Sequence, residues 1–338
     1  MENLIYDEII KNLSAFISGE TPSDLEVYDQ YRRLRDILFD QLPPSTVKLI
    51  KRQPQKHLPL IRKTLLILEE SSSNTRKILR ALAPQVKNQS QRPNADILII
   101  TATQVETKAF IDDESMHTQS SLTKYFIDSQ TYHYLGVTGG SNIYLIQSEM
   151  GAGGPSGSIL TINEAIKVLS PRALIMAGIA FGVDSNKQKL GDILIARQLL
   201  SYEPQRVGTN LADALQIRVR GDRVSSSPKL IDRFRSGSLD WAGPQVHFGL
   251  VLSGEKLIDN QEFRGRLLEL EPEAIGGEME GAGLYAAAHR SKTDWLLIKS
   301  ICDWADGRKS YQKDKRQQQA ATTTARFIYH VLGQGGFN

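Results

Sequence analysis

The sequence predicts a three-layer α/β domain with a twisted mixed sheet, preceded by a small all-helical domain. Residues 1–88 contain one glycine, Gly19, and their apolar residues recur at helical spacing. From Asp96 onward, short apolar runs typical of buried strands alternate with helical stretches. Such an alternation packs helices on both faces of a sheet. We therefore place a helical bundle at residues 1–88, a polar linker at 89–95 and the α/β domain at 96–338.

Composition narrows the class of protein. Of the 338 residues, 40% are apolar and 23% are charged, as in ordinary globular proteins. The single cysteine, Cys302, excludes an internal disulfide and a cysteine-rich metal site, and it suits a reducing cytoplasm. The longest apolar run, residues 173–183, is shorter than the roughly 20 residues of a membrane helix. We expect a cytoplasmic protein with no membrane partner.

Charge is distributed unevenly over the helical bundle. Residues 1–45 carry nine acidic against four basic residues, and residues 46–93 carry eleven basic against two acidic residues. These are either solvated faces that complement each other within the bundle, or a polarised surface that docks a protein partner, as adaptor and effector-associated domains do. Nucleic acid is not expected, because no aromatic residues interleave with the basic ones.

Within the α/β domain, the apolar runs place the elements in order. Strands are predicted at 96–103, 131–137, 143–147, 172–182, 190–196, 246–256 and 295–298, with helices after Gln104, at 159–169 and at 317–332. The glycine-rich stretch 149–158 leads into the second of these helices, and we expect its glycines to serve close helix–sheet packing. The turn 306–309 is expected to face solvent.

Two acidic stretches carry the chemical signal. Gly276 and Gly277 precede Glu278, Met279 and Glu280, which lead into a helix of small residues. Carboxylates there are also consistent with a charge-complemented helix start.

The second acidic stretch follows the apolar strand 295–298 and contains Asp303. The carboxyl end of a buried strand is where open α/β sheets place their chemistry.

The sequence Glu-Met-Glu-Gly-Ala at 278–282, followed by Ile-Cys-Asp-Trp-Ala-Asp at 301–306, resembles the nucleoside phosphorylase/nucleosidase superfamily. It is most similar to the hydrolytic branch, which includes methylthioadenosine/adenosylhomocysteine nucleosidase and the nucleosidase-like domains of fungal and bacterial immune-type proteins. The resemblance covers roughly residues 96–332, and its separated motifs follow the family's order. It implies a nucleoside phosphorylase-like fold.

The resemblance implies roles for individual residues. Glu106, just beyond the first strand, matches the glutamate that handles the attacking water, and Asp303 matches the acid that protonates N7 of the purine. Neighbouring Cys302 and Trp304 provide apolar bulk that favours the protonated acid. Without the family, Glu106 is an ordinary first-turn helix acid.

Substrate binding is implied for a further set of residues. Glu280 is expected to accept hydrogen bonds from the ribose hydroxyls, and Met279 to pack on the sugar. The strand ending Gly-x-Ala-x-Gly at 178–182 resembles the purine-pocket loop. Phe248 is a candidate to border the nucleoside, although a lone aromatic on a strand is more often core. The full expected substrate-binding set is Glu280, Met279, Glu278, Ala177, Gly178 and Phe248.

Water is favoured over phosphate as the nucleophile. Phosphorolytic family members carry an arginine where this chain has Met176 and Ala177, and they follow the first strand with a Gly-Asp-Pro turn that is missing here. We expect hydrolysis of a purine N-glycosidic bond to free base and ribose or ribose phosphate, without cofactor or metal. The fused relatives imply an effector in a defence system.

Several alternatives stay open. A non-catalytic nucleotide sensor, a phosphorolytic purine nucleoside phosphorylase and a scaffold are the other functions considered, and ATP, AMP, adenosine and methylthioadenosine are all candidate substrates. Arg197, Arg206, Arg308 and Lys309 are either phosphate ligands or ordinary surface charges. We expect a homodimer or a higher homo-oligomer.

Overall fold

The structure is a computed structural model that describes residues 2–20, 22, 25–90, 94–112, 123–209 and 215–337. It divides into two units, residues 1–92 and 93–338. No helix among these described residues is long and apolar enough to cross a membrane.

The first unit is built from helices around its own apolar core. Leu13, Leu34, Ile61, Leu65 and Leu82 are fully buried there. The helices are α1 (Glu2–Ile17), α2 (Leu25–Asp40), α3 (Pro44–Arg52), a 3₁₀ turn (Pro54–His57), α4 (Leu58–Ser71) and α5 (Ser73–Ser90). This is the predicted helical region.

Helix α5 corrects the predicted linker. It continues through residues 85–90, and Ala95 is already buried in the second unit, with its amide 3.1 Å from the carbonyl oxygen of Leu169. Residues 91–93 of the predicted linker lie outside the described residues. Residues 85–90 contain no glycine and no proline, so nothing in them ends the helix.

The second unit contains a mixed sheet of ten strands among the described residues. Two further strands, β7 and β8, pair in a separate hairpin. The strands are β1 (Ile97–Thr101), β2 (Thr123–Ile127), β3 (Gln130–Thr138), β4 (Ser141–Gln147), β5 (Ala173–Gly182), β6 (Ile193–Ser201), β7 (Gln205–Thr209), β8 (Leu215–Val219), β9 (Arg223–Ser225), β10 (Val246–Ser253), β11 (Ala274–Glu278) and β12 (Asp294–Asp303).

Helices cover both faces of this sheet, as the alternation of elements predicts. They are α6 (Gln104–Ile111), α7 (Ser158–Leu169), α8 (Pro228–Gly237), α9 (Gln261–Leu270), α10 (Gly281–Ser291) and α11 (Lys313–Gly333). Along β1, Ile97 and Ile99 pack in the same core as α6, α8 and α11. Leu98 and Ile100 pack in the core that contains α7 and α10. The three-layer α/β fold after a helical region is confirmed.

Strand pairing brings several strand ends together. The sheet order is β11, β10, β6, β12, β5, β1, β4, β3, β2, and β11 also pairs with β5 in antiparallel orientation at Gly276 and Gly277. This extra pairing closes β11, β10, β6, β12 and β5 into a ring. Both β1 and β12 run parallel to β5, so their carboxyl ends lie at one edge beside the end of β11.

Candidate active site

A cavity lies where the carboxyl ends of these strands meet. It encloses about 90 Å³ and is lined by residues of β5, β11 and β12 and by residues that follow β1, β4, β10, β11 and β12. Met150 and Leu257 line it and are 60% and 62% exposed. Apolar side chains left in solvent at the edge of a cavity are typical of a site that packs against a ligand.

Glu106 is a buried acid whose two carboxylate oxygens are fixed by backbone amides. Its Oε2 accepts hydrogen bonds from Ala102 N at 2.9 Å and Thr103 N at 2.8 Å, which forms a capping box at the start of α6. Its Oε1 accepts from Ile179 N at 2.9 Å, at the end of β5. A carboxylate offers about four acceptor positions, so one is left for a ligand.

Close approach of β5 to Glu106 requires the glycine at position 178. A Cβ built on Gly178 would lie 2.1 Å from Oε1 of Glu106 and 3.1 Å from Nζ of Lys299. Gly178 therefore affects the cavity through the position of Glu106. Ala177 is fully buried in the core that contains α11 and does not line the cavity, contrary to expectation.

Glu278 and Glu280 take different places at the start of α10. Gly276 and Gly277 belong to β11, and Glu278 is its last residue, so the glycines form a strand that ends at the helix. The Glu278 carboxylate accepts hydrogen bonds from Glu280 N at 2.9 Å and Gly281 N at 3.0 Å. Glu280 reaches across to Gly151 N at 3.2 Å. Both residues and Met279 line the cavity, as expected.

A buried lysine that the sequence analysis missed joins these acids. Lys299 Nζ lies 2.9 Å from Oε2 of Glu280 and 3.5 Å from Oε2 of Glu278, and its side chain is 1% exposed. Burial alone would lower the pKa of Lys299, but Glu280, Glu278 and Glu106 together raise it. Lys299 lies in the middle of the apolar strand β12. A lone lysine in a strand that is otherwise apolar was the sequence signal that could have identified it.

The three carboxylates around Lys299 differ in their charge preference. Burial raises the pKa of Glu106 and of Glu278, although Lys299 opposes the shift. Burial also acts on Glu280, but the contacts with Lys299 outweigh it, and the pKa of Glu280 is lowered. Glu280 is therefore the carboxylate most firmly ionised, whereas Glu106 and Glu278 take up a proton more readily than an ordinary glutamate.

Asp303 is the last residue of β12 and faces the same cavity. Its Oδ1 accepts a hydrogen bond from Ala305 N at 2.9 Å. Its Oδ2 lies 3.2 Å from the Cys302 thiol and 3.4 Å from Nζ of Lys309. Burial raises the pKa of the Cys302 thiol, so this neighbour stays a neutral donor.

The structure corrects the expectation that residues 306–309 all face solvent. Lys309 turns inward, with a side chain that is 18% exposed, and it lines the cavity together with Lys256. Its partner Asp303 provides the physical reason, because an ion pair with a buried carboxylate offsets the loss of hydration of the ammonium. Arg308 on the same turn remains exposed.

Phe248 is not a lining residue of the cavity, and this expectation is also corrected. It packs against the core on β10, and the guanidinium of Arg235 lies 5.7 Å from its ring centroid. Leu257 and Ile258, in the loop after β10, line the cavity instead. The sequence pattern predicted an aromatic residue on β10 but did not show whether its side chain faces the cavity or the core.

The backbone beyond Gly178 supplies the remaining wall. Ile179, Ala180 and Phe181, which lie within the Gly-x-Ala-x-Gly stretch at 178–182, line the cavity. Within the part of the chain that the structure describes, no group of three or more His, Cys, Asp or Glu side chains is arranged to hold a metal ion.

This arrangement brings three carboxylates with different surroundings to one cavity. Glu106 is a desolvated carboxylate with a free acceptor position, which suits a base. Asp303 lies beside apolar Ala180 and Phe181, and Glu280 is an ionised carboxylate suited to hydroxyl groups or to developing positive charge. Glu106, Glu278, Met279, Glu280 and Asp303, predicted from sequence, are thus brought together.

Comparison with known proteins agrees with this geometry. The model of the phosphorylase superfamily matches residues 96–333. A death domain-containing ATP nucleosidase of Amphimedon queenslandica is 28% identical over 258 residues, which cover 70% of this chain and 48% of that protein. The ATP nucleosidase Cap17 of Escherichia coli (strain KTE188) is 25% identical over 264 residues, covering 69% of this chain and 51% of that protein. The chain thus spans about half the length of each relative.

A solved structure shows the same fold. The 5′-methylthioadenosine/S-adenosylhomocysteine nucleosidase of Neisseria meningitidis, in complex with methylthio-immucillin-A, aligns with a TM-score of 0.58 at 19% identity. The alignment covers 70% of this chain and 98% of that one.

Proposed function

The chain belongs to the phosphorylase superfamily, and on that basis we propose that it hydrolyses the N-glycosidic bond of a purine nucleotide to the free base and a ribose that keeps its 5′ phosphates. The observation that carries the proposal is that Glu106, Glu280 and Asp303, which come from three distant parts of the chain, face one cavity. Each has a task in cleavage of a bond whose transition state resembles an oxocarbenium ion.

In the proposed mechanism, Glu106 acts as the base. Its free acceptor position holds a water molecule, takes one proton from it and directs the oxygen to C1′ of the ribose. The backbone amides of Ala102, Thr103 and Ile179 fix the carboxylate, so little reorientation is needed.

Asp303 supplies the other proton. As the C1′–N9 bond breaks, its electron pair passes to the purine, and the proton of Asp303 goes to N7. Water contributes hydroxide to C1′, and its other proton stays on Glu106 until product release, when Glu106 gives it to solvent. Asp303 regains a proton from solvent. Atoms and charge therefore balance over the cycle.

Glu280 and Met279 are assigned to the sugar. The ionised Glu280 carboxylate accepts hydrogen bonds from ribose hydroxyls and attracts the positive charge that develops on the ring. Met279 packs against its apolar face. Lys299 positions Glu280 at 2.9 Å and does not need to touch the substrate.

A nucleotide is favoured over a nucleoside with an uncharged 5′ substituent. Lys256 and Lys309 place two cations among the lining residues, and lysine ammonium groups are common partners of phosphate. The two relatives named ATP nucleosidases give independent support for ATP, with AMP as the simpler alternative.

Water, rather than phosphate, is the proposed nucleophile. No arginine lies among the described residues that line the cavity. Lys256 and Lys309 are assigned to the phosphates of the substrate, so a separate phosphate dianion buried beside Glu106 and Glu280 would lack a cation of its own. The alternatives are phosphorolysis and binding without cleavage.

The decisive test is product analysis with ATP, AMP, adenosine and methylthioadenosine, each with and without inorganic phosphate. We expect adenine and a sugar with a free anomeric hydroxyl from ATP or AMP, formed at the same rate in both conditions. A sugar 1-phosphate, or turnover that requires phosphate, would show phosphorolysis. Tight binding of the nucleotides with no adenine released would support the sensor.

The helical unit is proposed to bind a protein partner, as part of a defence effector. The acidic residues of α1–α2 and the basic residues of α3–α5 are proposed to form the polarised docking surface. One ion pair, between Arg62 and Asp7 at 3.1 Å, joins the two halves within the bundle, so part of the charge is used internally.

A further inference from the structure

We propose that a phosphate group of the substrate draws Lys309 away from Asp303, and that this release makes the protein cleave nucleotides in preference to nucleosides. The inference rests on the proposed hydrolysis of a purine N-glycosidic bond. It assigns Lys309 as a residue that both binds the substrate and controls Asp303.

The backbone around Lys309 is anchored, whereas its side chain has room to move. Asp259 Oδ1 accepts hydrogen bonds from Gly307 N at 2.9 Å and from Lys309 N at 3.3 Å. Asp306 Oδ1 accepts one from Arg308 N at 3.2 Å. These contacts hold the turn in place. The four-carbon side chain of Lys309 enters the cavity from a fixed point, and its ammonium is free to change partner by rotation.

In the absence of substrate, Asp303 only accepts hydrogen bonds. Lys309 and the Cys302 thiol both point to Oδ2, and Ala305 N occupies Oδ1. To act as an acid, Asp303 needs one oxygen that carries a hydrogen and is directed at the purine. Lys309 and the Cys302 thiol hold Oδ2 and Ala305 N holds Oδ1, so the arrangement without substrate opposes this function.

The other donor at Oδ2 has an alternative acceptor. The Cys302 sulfur also lies 3.5 Å from the carbonyl oxygen of Ala180, so its thiol hydrogen is able to turn there. The Lys309 ammonium has Asp303 as its ion-pair partner in the described structure. Departure of Lys309 is therefore the step that frees Oδ2.

A phosphate is the group best suited to draw Lys309 away. It carries about −1.5 to −2 charge near neutral pH and three acceptor oxygens, against a single charge on the carboxylate. Lys256, the other lining lysine, already pairs with Glu203 and is 55% exposed, whereas Lys309 is 18% exposed. Lys309 is thus the less hydrated of the two cations.

The sequence of events follows from these contacts. A nucleotide enters, its phosphate binds Lys309, Oδ2 of Asp303 takes up a proton from solvent, and that proton passes to N7 as the glycosidic bond breaks. Lys309 keeps all its protons throughout. A nucleoside offers no competing anion, so Lys309 stays on Asp303 and cleavage is slow.

The test compares the faster nucleotide, ATP or AMP, with adenosine in Lys309→Met, Lys309→Arg and the control Lys313→Met. Lys313 is exposed at the start of α11 and loses the same charge. In Lys309→Met we expect nucleotide kcat/KM to fall and adenosine kcat to rise, so that the preference for the nucleotide drops by about tenfold or more, since loss of a charge-assisted hydrogen bond has that size. Lys309→Arg should keep the preference, and Lys313→Met should match the unaltered protein.

Equal losses on both substrates, or a fall in adenosine kcat, would overturn the proposal and make Lys309 a structural support of Asp303. Calorimetric binding of AMP and adenosine to Glu106→Gln, with and without Lys309→Met, separates this result from failure of the hydrolase assignment. The phosphate should strengthen binding in the single variant, and Lys309→Met should remove that gain. An unchanged gain overturns the proposal even if the protein cleaves nothing.

Discussion

At Asp303 and Glu106, two acids of the same cavity are held in opposite ways. Backbone amides fix both oxygens of Glu106, whereas Asp303 shares one oxygen with two movable side chains. A fixed carboxylate suits a base that must aim water at one atom. A carboxylate with exchangeable partners suits an acid that must acquire and release a proton.

Replacement of Asp303 by asparagine should lower kcat by about 10²- to 10⁴-fold, the usual contribution of a general acid. Asparagine keeps the shape and one acceptor for Ala305 N, so the melting temperature should change little. Steady-state kinetics and a thermal melt of the same preparation check both statements. An unfolded variant would show instead that Asp303 is a structural residue.

Replacement of Glu106 by glutamine should abolish turnover and retain substrate binding. The amide oxygen is able to serve Ala102 N and Thr103 N, but the amide nitrogen then meets the N–H of Ile179. Leaving a buried donor unpaired costs about 1–3 kcal/mol, so a moderate loss of stability should accompany the loss of activity. Urea denaturation and calorimetric binding measure the two effects.

The pH dependence of the unaltered protein follows from the direction of the Glu106 shift. Burial raises the pKa of Glu106 above its ordinary value of 4.5, and a base must be ionised to act. For adenosine, which has no phosphate to titrate, kcat/KM should therefore fall on the acid side with a midpoint above pH 4.5. A midpoint at or below that value would assign the base to another group.

The raised pKa of Glu106 affects folding in the opposite direction. A carboxyl with a raised pKa in the folded state contributes most stability below its ordinary pKa, and this contribution is lost as pH rises through the raised value. Glu278 acts in the same direction, whereas Glu280, with a lowered pKa, contributes above its ordinary value. Lys299, which lies among all three carboxylates, offsets part of the cost of burying their charges.

The sequence predicted five of these cavity residues because their motifs are local. Glu278, Met279 and Glu280 are contiguous, and Asp303 and Glu106 each follow an apolar strand. Lys299 was missed because its partner Glu280 is 19 residues away and meets it only in the folded sheet. Lys309 was named only as a possible phosphate ligand, because its contact with Asp303 depends on an inward turn of the side chain that the sequence does not show.

At the scale of elements, Gly178 allows β5, which forms a wall of the cavity, to approach Glu106 closely. A methyl group there would overlap Oε1 of Glu106 and press on Lys299. Strand patterning predicted β5 itself but not this approach, because period-2 alternation does not indicate which residue of a buried strand meets a charged side chain.

Replacement of Gly178 by alanine should lower kcat/KM by about 10²-fold or more, since a displacement of about 1 Å at a reacting group has that effect. Gly153 provides the control, because a Cβ built there meets no atom within 4 Å and its backbone angle is unrestricted. Measurement of kcat/KM for Gly178→Ala and Gly153→Ala tests this prediction. Full activity in Gly178→Ala would mean that Glu106 moves without consequence and is not the base.

Boundaries of elements were predicted less well than their existence. Helix α5 continues to Ser90 because polar residues without glycine or proline remain good helix formers. Gly276 and Gly277 belong to a strand because pairing with Phe181 and Gly182 on β5 selects small residues. The end of α5 depends on the absence of a residue that stops a helix, and the strand at Gly276 and Gly277 depends on a pairing partner that is distant in sequence.

At the scale of the whole molecule, the two units differ in composition and in core. The apolar cluster of the helical unit is formed by residues from Ile9 to Leu82, and the clusters of the second unit begin at Ala95. A unit with its own core is able to fold alone. All residues assigned here to cleavage lie between Glu106 and Lys309.

A fragment of residues 94–338 should therefore fold and cleave the same substrate as the full chain. Its sheet, both helical layers and the cavity residues remain, so kcat/KM per molecule should stay within about threefold, a small change beside the 10²-fold loss expected for a missing catalytic group. Circular dichroism, a thermal melt and adenine release test the fragment. Residues 1–92 expressed alone are the matched control and should be helical and inactive.

If the fragment aggregates or loses its cooperative melt, the helical unit completes the core of the second unit, and the residue-level effects above must be measured in the full chain alone. If it folds but cleaves far more slowly, the helical unit controls the cavity, and its polarised surface becomes the place to look for that control.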